Sequence, residues 1–253
     1  DMAMIHQSGG GTGYNFSRLR PQGDLVSSSG GVSSGPLAFI KIYDTATEHV
    51  RQGGKRRGAN MGILNVDHPD IEDFILAKTE EDTLHNFNLS VGITDDFMEA
   101  VQHGTDWKLI NPRTKKIAKT IKANKLWDEI VSQAWATGDP GLIFLDTINK
   151  HNPVAEIGKI QSTNPCGEVP LFEYESCNLG SINLSKMVVS KESEKGAVDW
   201  NRLEGTIDLA IRFLDNIISI NHYLLPQIAS ATKNNRKVGL GVMGWAEMLA
   251  LLN

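Results

Sequence analysis

Asn164-Pro165-Cys166-Gly167-Glu168 sets an amide, a thiol and a carboxylate at alternate positions. In an extended chain that spacing points Asn164, Cys166 and Glu168 the same way, roughly 6 to 7 Å from one to the next. Pro165 stiffens the backbone ahead of the thiol and removes a donor. Gly167 leaves the space after it open and lets the chain bend. A lone cysteine is most often a small buried hydrophobe. An amide and a carboxylate in the same row would need partners in a core, so the row reads as a site. Cys177 is the only other cysteine.

Outward from this stretch the chain alternates strands and helices. Toward the N-terminus, Leu142 to Leu145 reads as a buried strand behind the Gly138-Asp139-Pro140-Gly141 break. Leu126, Trp127, Ile130, Val131, Ala134 and Trp135 follow a helical period. Trp107 to Lys119 suggests a hairpin. Thr94 caps a helix with Phe97, Met98 and Val101 inward. Phe87, Leu89 and Val91 alternate as a strand, as does Met61 to Val66. Asp67 and Pro69 open a short helix through Lys78. Ser34 or Gly35 caps a helix with Leu37, Ile40, Tyr43, Thr47 and Val50 inward, which Gly53-Gly54 stops. Pro21 to Gly35 is loop, Tyr14 to Leu19 a strand, and Gly9 to Gly13 a tight, backbone-exposed turn after a first helix.

Toward the C-terminus, Lys191 to Lys195 reads as a charged turn. Leu203, Ile207, Ala210, Ile211, Leu214 and Ile218 stripe a long helix. Val238, Leu240 and Val242 alternate with glycines, a strand closely approached on its other face. Trp245 begins a last helix. The order argues for an α/β architecture with a mainly parallel sheet, open or closed. Asp1 to Gln7 reads as a helix end without lead-in, and Met248 to Asn253 stops inside an apolar helical run, so a fragment of a longer polypeptide is expected.

With 253 residues, 40% of them hydrophobic, the chain can bury a sizeable core. Its net charge of -5 gives no general pull toward nucleic acid or an acidic membrane. No apolar run is long enough to span a bilayer, and residues 1 to 6 do not form a signal peptide. Two cysteines are too few for a disulfide scaffold, so a cytoplasmic protein is expected.

Ser162-Thr163-Asn164-Pro165-Cys166-Gly167-Glu168, followed by Glu175-Ser176-Cys177-Asn178-Leu179-Gly180-Ser181-Ile182-Asn183-Leu184, resembles the catalytic subunit of ribonucleotide reductase. Together with Gly53-Gly54-Lys55-Arg56-Arg57-Gly58-Ala59-Asn60-Met61-Gly62 it is most similar to the adenosylcobalamin-dependent, class II branch. The resemblance covers nearly the whole chain. It implies one barrel-domain fragment over residues 1 to 253, about the first half of a ten-stranded α/β barrel. A central finger loop would run from 158 to 189.

By the same resemblance Cys166 carries a thiyl radical that abstracts the 3′ hydrogen of a ribonucleotide. Glu168 is the base for the 3′-OH proton, Asn164 orients the ribose hydroxyls, and Cys177 is one of two reducing thiols re-reduced by a dithiol such as thioredoxin. Gly10, Gly11, Pro165 and Gly167 join Asn164, Cys166 and Glu168 against the substrate. Gln52, Gly53, Gly54, Lys55, Arg56, Arg57, Gly58, Ala59 and Asn60 form a specificity loop for a deoxynucleoside triphosphate effector, with Asp24 to Gly31 near it. A homodimer is implied.

The seven histidines show no ligand spacing, and no di-iron helix pattern is found, so a cofactor or a partner subunit must generate the radical. Two alternatives share these residues. One is a reductase large subunit served by a separate radical-generating subunit. The other is a catalytically silent nucleotide-binding module, for which Cys166 and Glu168 would be dispensable. A thiol oxidoreductase using Cys166 and Cys177 lacks the close cysteine pair of such enzymes.

Overall fold

A computed structural model describes residues 1–26, 30–52, 56–80, 83–189 and 196–253. It divides into two compact units, Asp1–Glu173 and Tyr174–Asn253.

The first unit is built on four parallel strands in sequence order: β1 (Thr12–Asn15), β2 (Asn60–Asn65), β3 (Phe87–Ile93) and β4 (Gly141–Phe144). Parallel neighbours require crossovers. Helices α1 (Met2–Gln7), α2 (Gly35–His49), α3 (Ile71–Ile75), α4 (Asp95–His103), α5 (Ala123–Thr137) and α6 (Leu145–Lys150) flank these strands in sequence.

Alternation gives the sheet two unlike faces. Leu64 from β2 and Phe87, Leu89, Val91 and Ile93 from β3 join Ile40, Phe74, Phe97, Leu126 and Ile130 from the helices in one core. Each large side chain buried there contributes about 1.5–3 kcal/mol. The opposite face carries Met61, Ile63 and Ile143 in a small separate cluster. Asn88, Ser90 and Gly92 of β3 alternate with its core residues and so share that second face.

Local signals explain the element ends. Thr94 Oγ1 accepts the Phe97 N–H at 3.3 Å, and Gly104 closes α4 with φ +62°. A hairpin, Asp106–Ile110 with Ile117–Lys122, follows α4 as expected. Asp139 binds two neighbours at once: its Oδ1 accepts the Leu89 N–H at 3.0 Å, and its Oδ2 pairs with Lys78 Nζ at 2.7 Å.

Several boundaries differ from the sequence reading. β1 starts at Thr12, because Thr12 to Asn15 pair with Asn60 to Ile63. α2 ends at His49, before the glycine pair, because Arg51–Gln52 turns into a ladder with Arg56–Arg57. Gly53, Gly54 and Lys55 lie outside the described residues, as does the charged turn from Lys191 to Lys195. The loop read from Pro21 to Gly35 contains a small ladder, Leu25–Val26 with Gly31–Val32. The helix read to Lys78 spans only Ile71–Ile75. β4 gives up Leu145 to α6, and of its residues only Ile143 is buried. On α5 the expected inner residue Trp135 is 90% exposed, because the core contact is made by Leu126 and Ile130.

The second unit pairs β5 (Asn178–Asn183) with β6 (Val238–Met243) in parallel. Between them run α7 (Trp200–Ile220) and α8 (Pro226–Asn235), and α9 (Trp245–Leu252) follows. Leu214 and Ile218 are the buried part of the α7 stripe, whereas Ile207 and Ile211 are exposed. The close approach expected beside β6 is found at Gly239, where a Cβ would lie 2.3 Å from Leu179 Cδ2.

His68 gives this fold a pH dependence. Its Nδ1 accepts the Asp70 N–H at 3.0 Å and its Nε2 faces Leu19 O at 2.9 Å, which requires the neutral ring protonated on Nε2. Burial, the largest effect, holds its pKa below 6.5. The unfolded chain therefore binds the proton first as pH falls below about 6.5, and stability present above that pH is lost below it. Urea titrations at pH 7.5 and 5.5 should show a lower midpoint at the acidic pH. His68→Asn, which keeps an acceptor for Asp70, should show a smaller drop.

Candidate active site: a thiol at the tip of a hairpin on the sheet

The segment Asn164–Glu168 is a turn. Ser162–Thr163 and Pro170–Leu171 pair antiparallel, Ser162 with Leu171 and Thr163 with Pro170, so residues 164 to 169 form a hairpin tip. The extended row expected from the sequence is therefore corrected. Pro165 presets φ for the second position of a turn, and Gly167 takes φ +85°, which favours glycine. The Gly167 N–H donates to Asn164 O at 3.1 Å, closing the turn across Pro165 and Cys166. Asn164 brackets the tip: its N–H donates to Val169 O at 3.1 Å, and its Oδ1 accepts the Val169 N–H at 3.0 Å. Cys166 and Glu168 are left exposed, with Asn164 half-buried.

The hairpin lies on the second face of the sheet. Gly167 is against Met61 Cε and Ile143 Cδ1, where a Cβ would stand at 3.7 and 3.9 Å. The exposed Asn88 of β3 donates its Nδ2 hydrogen to Pro165 O at 2.8 Å. The tightest contacts come from the first strand. A Cβ on Gly11 would lie 2.4 Å from Pro165 Cγ, and one on Gly13 would lie 1.7 Å from Thr163 O. Two residues on, Asn15 Nδ2 donates to Gln161 O at 2.8 Å. Residues 11, 13 and 15 thus meet 165, 163 and 161 in antiparallel sense.

No site role is read from the sequence for Asn15, Asn88 or Thr163, and Gly13 enters only as the end of the tight, backbone-exposed turn from Gly9. A glycine at a strand position marks close backbone approach, and that signal was present at Gly13. Of the glycines expected near a substrate, Gly10 lies against Ile5 and Gly11 against Pro165.

At its start β1 meets the segment that leads into β2. Ala59 O accepts the Thr12 N–H at 3.1 Å. Asn60 is fully buried: its Oδ1 accepts Thr12 Oγ1 at 2.6 Å, and its Nδ2 donates to Thr47 Oγ1 and to Asn86 O, both at 3.0 Å. Gly58 packs on the buried His6 ring, whose pKa burial lowers. Arg57 pairs with Glu48 at 2.7 Å. In the loop after β1, Asp24 takes a two-pronged ion pair from Arg113 at 3.0 and 2.8 Å, which holds its carboxyl down at about 2.

Cys177 belongs to the second unit, on the approach to β5. It is half-buried and lines a small cavity with Ser176, Asn178 and Tyr223.

The first unit is thus a parallel α/β sheet with a thiol-tipped hairpin laid on one face. The chain belongs to the ribonucleotide reductase barrel domain family, whose model matches residues 1–253. It is 58% identical over 251 residues to the vitamin B12-dependent ribonucleoside-diphosphate reductase of Thermoplasma acidophilum, covering 99% of this chain and 32% of that protein. Identity to the protein of the same name from Mycobacterium tuberculosis strain H37Rv is 54%, over 99% of this chain and 35% of the relative. The ribonucleoside-diphosphate reductase subunit alpha of Chlamydia trachomatis is 32% identical, over 100% of this chain and 27% of the relative. The chain spans about a third of the length of these curated relatives.

Gly13→Ala tests the hairpin seat. The added methyl meets backbone, which cannot swing aside, so overpacking should cost about 1–3 kcal/mol in urea unfolding. Displacement of the tip should also change the rate at which iodoacetamide modifies Cys166. An unchanged stability and an unchanged Cys166 rate would show that β1 does not hold the hairpin.

Proposed function

We propose that this chain is the finger-bearing part of the barrel of an adenosylcobalamin-dependent ribonucleoside-diphosphate reductase. Residues 1 to 253 then form one barrel-domain fragment, the sheet β1 to β4 and the pair β5–β6 being strands of a ten-stranded barrel and residues 158 to 189 its finger loop. The observation that carries the reading is the hairpin tip. Its proline, its positive-φ glycine and the Asn164 brackets fix the backbone while leaving the Cys166 thiol and the Glu168 carboxylate exposed on either side of Gly167.

In this reading Cys166, as a thiyl radical, takes the 3′ hydrogen atom of the ribose. Glu168 accepts the 3′-OH proton, which favours departure of the 2′-OH as water. Asn164 keeps its oxygen on Val169, so its amide hydrogens are the groups offered to ribose hydroxyls. Cys177 and a second thiol supply two electrons and two protons and close into a disulfide. Net, a ribonucleotide and a dithiol give a deoxyribonucleotide, water and a disulfide. Gly10 and Gly11 keep the β1 turn narrow beside the substrate.

Adenosylcobalamin, when bound, supplies the one-electron oxidation of the thiol. What this chain offers toward it is the exposed Cys166 sulfur on a fixed turn. The relatives named vitamin B12-dependent support that choice over a separate radical-generating subunit. Gln52 to Asn60, with Asp24 to Gly31, form the loops that answer to a deoxynucleoside triphosphate. Asn60 and Gly58 anchor the first of these to α2 and to His6. A homodimer, a thioredoxin-like reductant and a cytoplasmic setting complete the reading. No described helix is long and apolar enough to cross a membrane.

The test uses the full-length protein with ribonucleoside diphosphates and a dithiol. Deoxyribonucleotide should form only when adenosylcobalamin is added, and Cys166→Ala should form none. Product without the cofactor, or from Cys166→Ala, would overturn the assignment.

A further inference from the structure

The surroundings of Cys177 are more elaborate than a thiol on a strand end requires. Glu175, two residues earlier, has a fully buried side chain that accepts from Lys237 Nζ at 2.7 Å and from Asn235 Nδ2 at 2.8 Å. Ser176 shares a 2.8 Å hydroxyl–hydroxyl hydrogen bond with Thr232 of α8, which is 2% exposed. Asn178 Nδ2 donates to Leu214 O of α7 at 2.9 Å. Three side chains flanking the thiol, Glu175, Ser176 and Asn178, are therefore anchored to α7, α8 and the residues leading into β6.

These anchors enclose a cavity of about 50 Å³ lined by Ser176, Cys177, Asn178, Asn221, Tyr223 and Thr232, with Ile217 and Ile218 as its apolar wall. The Asn178 side-chain oxygen is buried and finds no donor among the described residues. An orphaned acceptor of this kind costs the full desolvation of the group unless water satisfies it. A water needs room for about one probe sphere and two to four polar partners, and this cavity offers both. Tyr223 is the titratable neighbour on the wall. Its hydroxyl donates to Ile218 O at 3.2 Å, and Lys233 lies 6.0 Å from its ring.

We propose that the cavity is a water site built for Cys177: an ordered water donates to Asn178 Oδ1, meets the Ser176–Thr232 hydroxyls, and hydrogen-bonds the Cys177 sulfur. Asn178 is then a positioning residue that acts on the thiol through this water. A water donating to the sulfur favours its anionic form, the form that enters thiol–disulfide exchange. The inference rests on the reading of Cys177 as a reducing thiol. In that exchange an external dithiol is oxidised to its disulfide, and the bond joining Cys177 to a second thiol is broken. The two dithiol protons end on the two released sulfurs, and the water delivers the one that reaches Cys177.

The first test is a crystal structure of the full-length reduced protein that resolves ordered water. A water within hydrogen-bond distance of Asn178 Oδ1 and Cys177 Sγ is expected, and a dry cavity would overturn the proposal. The second is the pH profile of Cys177 alkylation by iodoacetamide, with Cys166 as the internal reference. Asn178→Leu should slow Cys177 about tenfold at neutral pH, the effect of a one-unit rise in its pKa. Thr232→Val should shift the profile the same way by less, and Cys166 should be unaffected. A Cys177 profile unchanged in both variants would also overturn it. Single-turnover yield of deoxyribonucleotide from the prereduced wild type is measured alongside. No product there contradicts the reductase reading and leaves the alkylation result to judge the water site by itself.

Discussion

The approach of the first strand to the hairpin is the constraint on which the site depends. Gly11 and Gly13 of Gly11-Thr12-Gly13-Tyr14-Asn15 leave no room for a side chain between strand and hairpin. Asn15 then fills the third contact with a hydrogen bond to Gln161 O. On the other side of the same strand Tyr14 stacks on Tyr43 with ring centroids 5.2 Å apart. One strand thus combines two demands, an aromatic surface for the helices and a nearly bare backbone for the hairpin. The position of Cys166 follows from both, since Pro165, immediately before it, is the residue held by Gly11 and Asn88.

The two-faced sheet resolves a conflict of polarity. A hairpin of backbone and polar side chains laid on an apolar sheet would strand donors and acceptors. The hairpin face therefore carries amides where the helix face carries Phe, Leu, Val and Ile. Asn15 bonds Asn65 as well as Gln161, and Asn88 bonds Pro165 O. At the first position of β2, Asn60 satisfies its side chain within the buried set of Thr12, Thr47 and Asn86. Met61, Ile63 and Ile143 form the apolar patch on this face, and Met61 and Ile143 support the tip at Gly167.

The sequence made the alternating strands and capped helices legible, because their signals are local. Phe87, Leu89 and Val91 show period two directly, and Thr94 caps α4 through its own side chain. The tip was misread because alternation of Asn164, Cys166 and Glu168 is also compatible with a turn, and Pro165 and Gly167 favour the turn. Trp135, Val131, Ile207 and Ile211 fit a helical stripe yet stand exposed, since periodicity reports a face and not what covers it. Asn164, Cys166 and Glu168 do share one hairpin tip. Their supports on β1 and β3 were not legible, because those contacts join positions about 80 to 150 apart in the chain.

The central claim is that the hairpin tip is a radical site on Cys166. Electron paramagnetic resonance of the full-length protein, frozen after mixing with adenosylcobalamin and substrate, tests it most directly. The account predicts a paramagnetic signal whose line shape changes when the protein carries β-deuterated cysteine and which is lost in Cys166→Ser. A signal insensitive to the label and retained in Cys166→Ser would contradict it.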